Sequence, residues 1–226
     1  LVEKKKEKLD LSLIANDSEV RSYIEYADKF LEAIGYTEHG FRHAHLVAER
    51  AELILRRLSF NHRLGELAAI AGFLHDIGNV ISREVHGVSS ALLARSFLKK
   101  FGFPPDEIAI VMNAIANHEE EYGMPTHPVG AALVIADKSD VHYSRVRASG
   151  NMEEDIHDRV NLAARDSKLE INPKERKIIL RVEIDTEISR VMEYFEIFLT
   201  RMIMSRKAAE FLRTKFHLVI NGVELL

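Results

Sequence analysis

Two titratable residues in succession, His75 and Asp76, close an apolar helical run from Leu64 to Leu74, and Ile77 and Gly78 follow at once. Their neighbours belong in a core. A buried carboxylate without a partner is costly, so any fold of this chain has to supply one. A divalent metal would serve, because imidazole and carboxylate both ligate it. So would a helix carbonyl for His75 and a turn capped by Asp76. The pair alone does not decide between these, and the other histidines carry the argument further.

The 226 residues include eleven histidines. On the helix predicted over 39–58 they sort by face. His43, Val47, Ala51, Ile54 and Leu58 recur at steps of three and four, while His45, Glu49, Glu52 and Arg56 form the polar stripe. His43 therefore points with the core and His45 at water. His39 lies one turn before His43, within reach of the same place. The helix predicted over 63–76 ends in His75-Asp76, with Gly78 as a left-handed stop. Ala68, Ala71 and Gly72 share the His75 side and let another helix come close. His86 precedes a helix over about 88–100. Pro104 or Pro105 opens a helix running to about Asn117, whose apolar stripe of Ile108, Val111 and Ile115 leads to His118. On a helix over about 129–140, Val129, Leu133, Ala136 and Asp137 share a face, with Asp140 one step further. An earlier helix over 17–34, capped at Asn16, Asp17 or Ser18 and ended by Gly35, buries Val20, Ile24, Ala27, Leu31 and Ile34.

After Tyr143 the pattern changes. Arg145, Arg147, Gly150 and Asn151 read as a linker or a loop flanking a site. Residues 168–172 and 176–184 read as a β-hairpin about Asn172-Pro173-Lys174, because Ile178, Leu180, Val182 and Ile184 alternate with the other face. A helix over 186–213 and a strand over 217–220 complete the chain. That helix carries apolar residues on more than one side, which predicts a homodimer or tight docking onto the helical lobe.

His43, His75, Asp76, His86, His118 and Asp137 thus all lie on sides that read as buried. Any one of these histidines is commonly satisfied by a carbonyl. Six such side chains in one helical lobe are expensive to bury unless something shared holds them.

At this point the residues resemble a family. The order His43, His75-Asp76, Asp137 is similar to the H…HD…D signature of the HD-domain metal-dependent phosphohydrolases, and Leu74-His75-Asp76-Ile77-Gly78 matches its LHDIG wording. His86 and His118 fall where two-metal members, including the HD-GYP branch, carry extra histidines. Asn79 replaces that branch's lysine, Asn117-His118-Glu119 replaces HHE, and Gly123-Met124-Pro125 echoes GYP only faintly. The branch's cyclic-dinucleotide activity is therefore not carried over. The resemblance covers roughly residues 18–145 and implies an HD helical bundle, placed at 17–145. With the charged start as an N-terminal extension over 1–16 and the hairpin-helix-strand pattern, outside the family's shared core, as a small C-terminal α+β subdomain over 146–226, the chain is expected to be mainly α.

The resemblance also implies a site. His43, His75, Asp76 and Asp137 would hold one divalent ion, and Asp76 would bridge to a second held by His86 and His118. Without a cysteine in the chain, the donor set suits Mn, Fe, Ni, Co or Zn. Asp76, Glu119 and Asp140 are the expected catalytic residues, and Asn117, His142 and Arg145 the substrate candidates. The implied reaction is hydrolysis of a phosphomonoester or phosphodiester, of a nucleotide or a related small molecule. Alternatives are a di-iron HD-type oxygenase and a nucleotide-binding signalling module. A net charge of −4 argues against bulk nucleic-acid binding. The sequence has no signal-peptide pattern and no apolar run of membrane-spanning length, so no membrane partner and a cytoplasmic location are expected. No metal ligand is expected after residue 145.

Overall fold

The computed structural model describes residues 9–121, 123–147 and 156–225, with His157 described by its backbone alone. Most of the expected charged extension, and Gly150 and Asn151 of the expected linker, lie outside these residues. The described part of the extension is not all tail: Leu11–Ala15 form a short helix, α1, capped by Asp10.

The helices follow the apolar periodicity with small shifts at their ends. They are α2 (Ser18–Ala33), α3 (Phe41–Arg57), α4 (His62–Leu74), α5 (His86–Lys100), α6 (Pro105–Ala116) and α7 (Pro128–Lys138). The Asp17 carboxylate accepts from two backbone N–H groups of α2, at Glu19 and Val20. Pro105 opens α6, with Asp106 and Glu107 in its positive first turn. α7 is buried throughout, from Val129 to Lys138, and packs on α3, α4 and α6. It is the hub that holds Asp137 against α3 and α4.

Two sequence expectations fail here. Ile34 is exposed rather than buried, because α2 ends before it and Gly35 turns the chain at φ +85°. Gly78 is not a left-handed stop. α4 ends at Leu74, His75 keeps a helical backbone, and a 3₁₀ turn follows over Ile77–Val80. Gly78 is needed for closeness instead. A Cβ there would lie 2.4 Å from the His86 carbonyl oxygen and from the Ser90 nitrogen. Gly72 does the same for the α3–α4 pair, where a Cβ would stand 2.8 Å from the Ala48 nitrogen. These two contacts bring the helices bearing His43, His75 and His86 together.

The C-terminal part opens with α8 (Ile156–Ala163), which the sequence pattern did not reveal. It runs into β1 (Ala164–Asn172), then β2 (Lys177–Ile184), α9 (Val191–Phe211), β3 (Lys215–Ile220) and a two-residue β4 (Val223–Glu224). β1 and β2 form the expected antiparallel hairpin, pairing Leu169 with Leu180 and Asn172 with Lys177. β3 lies parallel to β2, with Leu180 opposite Leu218, as a crossover through a helix requires. α9 buries Tyr194, Phe198, Met202, Ser205 and Ala208 and packs on α7. The tail is therefore docked on the helical lobe, while Leu199 and Ile203 remain on the outer side. No described helix is long and apolar enough to cross a membrane.

Candidate metal centre

Four histidine rings meet between α3, α4, α5 and the end of α6. His43 comes from the first turn of α3, His75 from the residue after α4, His86 from the start of α5 and His118 from just past α6. All four are buried to within 2%. His45 is exposed, as its face predicted.

Each ring is turned by a hydrogen bond at Nδ1. His75 Nδ1 lies 2.7 Å from the Gly72 carbonyl oxygen, His86 Nδ1 2.8 Å from that of Arg83, and His118 Nδ1 2.6 Å from that of Ile115. His43 Nδ1 lies 2.7 Å from Asp140 Oδ2. A carbonyl or carboxylate oxygen can only accept, so each Nδ1 must donate. That assigns a proton to each Nδ1 and turns each Nε2 inward, where a neutral ring presents its lone pair.

The inward side holds further acceptors. His43 and His75 Nε2 are 3.2 Å apart. Asp76 Oδ2 lies 3.3 Å from His75 Nε2 and 3.6 Å from His43 Nε2. Asp137 Oδ1 lies 3.4 Å from His43 and 3.6 Å from His75. The other Asp76 oxygen, Oδ1, is 3.3 Å from His86 Nε2 and 3.9 Å from His118 Nε2. Glu119 Oε1 closes this second group, 2.8 Å from His86 and 3.1 Å from His118. Neighbouring ligands about 2.1 Å from one ion stand about 3.0–3.4 Å from each other. The first group's distances, 3.2–3.6 Å, run close to that spacing, and Asp76 faces both groups with one oxygen each.

A proton relieves part of this crowding of acceptors. Burial opposes charge on the His75 ring, but the Asp76 and Asp137 carboxylates outweigh it and push His75 up to about 10. Burial alone would raise both carboxyls. The charge of His75 beside Asp76, and of Lys138 beside Asp137, holds them well below the ordinary carboxylate range. A divalent cation answers the same demand with more charge and with directed lone pairs. The donor set therefore fits a metal.

Asp76, Asp137, His43, His75, His86 and His118 thus converge, together with Glu119. Asp140 does not join them. It is buried behind His43, bonded to the ring nitrogen that faces away from the centre, and Arg42 Nη2 holds it at 2.7 Å. The expectation of a catalytic Asp140 gives way to a positioning role. Asn117 turns its amide onto the Asn113 carbonyl of its own helix. His142 bonds Ser144 at the end of its own turn. Neither reaches the histidines through any contact in the described residues. Arg145 is buried and spends its guanidinium on the Asp140 and Glu38 carbonyls and on His39 Nε2 at 2.9 Å. Burial and the Arg145 charge keep His39 neutral, well below its ordinary value. Asn79, at the position where the HD-GYP branch has lysine, donates to Asp76 Oδ1 at 3.3 Å.

The sequence reading missed Arg83. It sits between the 3₁₀ turn and α5, where no periodicity marks it. Its Nη1 donates to His86 Nε2 at 3.3 Å, and its guanidinium lies 5.2 Å from the Tyr36 ring centre. Arg83, His39 and Arg145 line a cavity of about 410 Å³ beside the histidines. The His39 ring is 5.4 Å from that of His43.

Two expected results follow from this geometry. His43→Ala should abolish metal binding by the first group while His45→Ala leaves it unchanged, as measured by metal content after purification without chelators. Equal loss in both would mean that the face assignment fails. Asp140→Asn should weaken metal binding about 10–100-fold, the usual effect of removing a carboxylate that orients a ligating imidazole. Titration calorimetry with Mn²⁺ measures this, and an unchanged affinity would remove Asp140 from the centre.

Residues 40–142 match the family model of the HD domain. An uncharacterized protein of Methanocaldococcus jannaschii is 30% identical over 136 residues, covering 50% of this chain and 52% of that protein. Ribonuclease Y of Lawsonia intracellularis is 34% identical over 102 residues, covering 45% of this chain and 18% of the enzyme. Ribonuclease Y of Fusobacterium nucleatum is 36% identical over 101 residues, with 45% and 18% covered. A crystal structure of a predicted HD superfamily hydrolase from an uncultured Thermotogales bacterium has 26% identity and a TM-score of 0.44, covering 58% of this chain and 73% of its own. The chain thus spans about half the length of the archaeal relative and under a fifth of the ribonucleases.

Proposed function

We propose that the chain, whose residues 40–142 match the HD domain, is a metal-dependent phosphohydrolase that cleaves a phosphoester of a small molecule, with a nucleotide as the first substrate to try. The observation that carries the reading is the inward convergence of four Nε2 lone pairs with Asp76 and Asp137. His43, His75, Asp76 and Asp137 would hold one ion, and Asp76, His86 and His118, with Glu119, a second. A divalent ion bound there would lower the pKa of its water toward about 7 and would polarise a phosphoryl oxygen.

The chain's own residues do the rest. Asp140 and the carbonyls of Gly72, Arg83 and Ile115 fix the rings, so nothing reorganises as charge develops. Arg83 stands at the rim and offers donors to a phosphoryl oxygen. In the net reaction a water oxygen bonds phosphorus, the bond from phosphorus to the leaving oxygen breaks, and that oxygen takes up a proton. The test is a panel of phosphomonoesters and phosphodiesters with protein reloaded with Mn²⁺, Fe²⁺, Co²⁺, Ni²⁺ or Zn²⁺. Release of phosphate or of the alcohol, dependent on metal and lost in Asp76→Ala, is the expected result. Turnover of none with any metal, or oxygen uptake in place of hydrolysis, would overturn it.

A further inference from the structure

The cavity beside the histidines has two walls, and the second comes from the C-terminal subdomain. One wall is the chain from Ile34 to His39 with Arg83 and Arg145, and the other is Asp158 and Asn161 of α8 with Ile197, Phe198 and Arg201 of α9. Phe198, Asp158 and Asn161 are buried, so that side is closed. The lining sets three guanidinium groups against one carboxylate, a surplus of positive charge next to carboxylates that favour metal.

Arg201 has more to offer a ligand than Arg145. Arg145 is committed to the protein through three hydrogen bonds and is 2% exposed. The Arg201 side chain is 23% exposed, and its Nε pairs with Glu120 at 3.3 Å. Its guanidinium carbon lies 5.1 Å from the Phe198 ring centre, within cation–π range. Glu120 also meets Lys138 at 3.0 Å, and Lys138 meets Asp137 at 2.7 Å. A chain of ion pairs thus ties Arg201 to the carboxylate of the metal centre.

Resting on the phosphohydrolase reading, we infer that α9 completes the substrate site: Arg201, opposite Arg83, binds the phosphate of a small phosphomonoester whose organic part lies against Phe198 and Ile197. A terminal phosphate carries two charges, which suits the surplus of guanidinium groups. About 410 Å³ is the size of a single small ligand, within the ~300–1,000 Å³ usual for such pockets. A nucleic-acid strand would have to leave the site on two sides, and α8 and α9 close one of them.

The test compares the parent protein with Arg201→Gln, Arg201→Lys and, on the outer face of α9, Leu199→Ala. All are reloaded with Mn²⁺ and checked for an unchanged melting temperature and metal content. Two arms are read. The first is the rise in melting temperature with inorganic phosphate. The second is kinetics on p-nitrophenyl phosphate, bis-p-nitrophenyl phosphate and a short oligoribonucleotide. We expect hydrolysis of the monoester above the other two. Arg201→Gln should raise KM about tenfold with a smaller change in kcat and should lose most of the phosphate-induced shift. Arg201→Lys should recover part of both, and Leu199→Ala neither loses nor gains. Unchanged KM and phosphate shift in Arg201→Gln would overturn the role of Arg201 while leaving the hydrolase reading intact. Preference for the oligoribonucleotide would overturn the substrate class. Absence of all hydrolysis by the parent would strike the hydrolase reading instead, and the phosphate arm would still decide Arg201.

Discussion

Asp76→Ala should leave the protein folded, strip it of metal and lower phosphoester hydrolysis by about a thousandfold or more. Asp76 is the residue that both donor groups share. Oδ2 stands 3.3 Å from His75 Nε2, and Oδ1 stands 3.3 Å from His86 Nε2. Without it, each group keeps its imidazoles and one carboxylate, Asp137 or Glu119, but loses the carboxylate that the two share. Metal assistance is worth several kcal/mol of transition-state stabilisation, and each 1.36 kcal/mol is tenfold in rate, which gives on the order of 10³. The fold should survive, because Asn79 keeps its bond to the Asp76 backbone carbonyl at 2.9 Å and no core apolar group is lost. Metal analysis, circular dichroism and turnover on one preparation separate the effects. Full metal content in this variant would mean that Asp76 is not the shared ligand.

Gly78→Ala should be strongly destabilising for a single added methyl. The new carbon would stand 2.4 Å from the His86 oxygen, 2.4 Å from the Ser90 nitrogen and 2.7 Å from Ser90 Oγ. The first two are backbone atoms that no rotamer change can move. α5 must shift, and His86 at its first position shifts with it. Overpacking of this kind costs about 1–3 kcal/mol, and in a chain of this size each kcal/mol is about 2–4 °C of melting temperature. Gly65→Ala is the control. Its methyl meets only Glu52 and Arg56 atoms at 3.4 Å or more, and it lies inside α4, where alanine is favoured over glycine by about 1 kcal/mol. Gly65→Ala should hold or raise the melting temperature while Gly78→Ala lowers it by several degrees. Similar melting temperatures in the two variants would refute the close-approach account.

The helical lobe was legible because its buried stripes run at helical spacing and its breaks are glycine and proline. The same spacing told His43 from His45, since one helix has one core face. The hairpin was legible because Ile178, Leu180, Val182 and Ile184 alternate at period two. What escaped depends on contacts between distant residues. Asp140 follows Asp137 by three positions, so it shares that helical side. Nothing local states that it will meet the far nitrogen of His43, 97 residues away. Arg83 lies in an irregular stretch, where side-chain direction has no period. Gly78 carries no mark that separates a turn from a close approach, and only the distance to α5 does so. α8 is short and polar enough that its eight residues gave no clear stripe, yet it supplies part of the cavity wall.

The most direct test of the metal centre is a crystal of Mn²⁺-loaded protein with data collected where manganese scatters anomalously. The account predicts anomalous density bounded by Nε2 of His43 and His75 and the carboxylates of Asp76 and Asp137. A second peak is expected on the far side of Asp76, toward His86, His118 and Glu119. Anomalous density elsewhere only, or rings whose Nε2 atoms have turned away from Asp76 and Asp137, would contradict it.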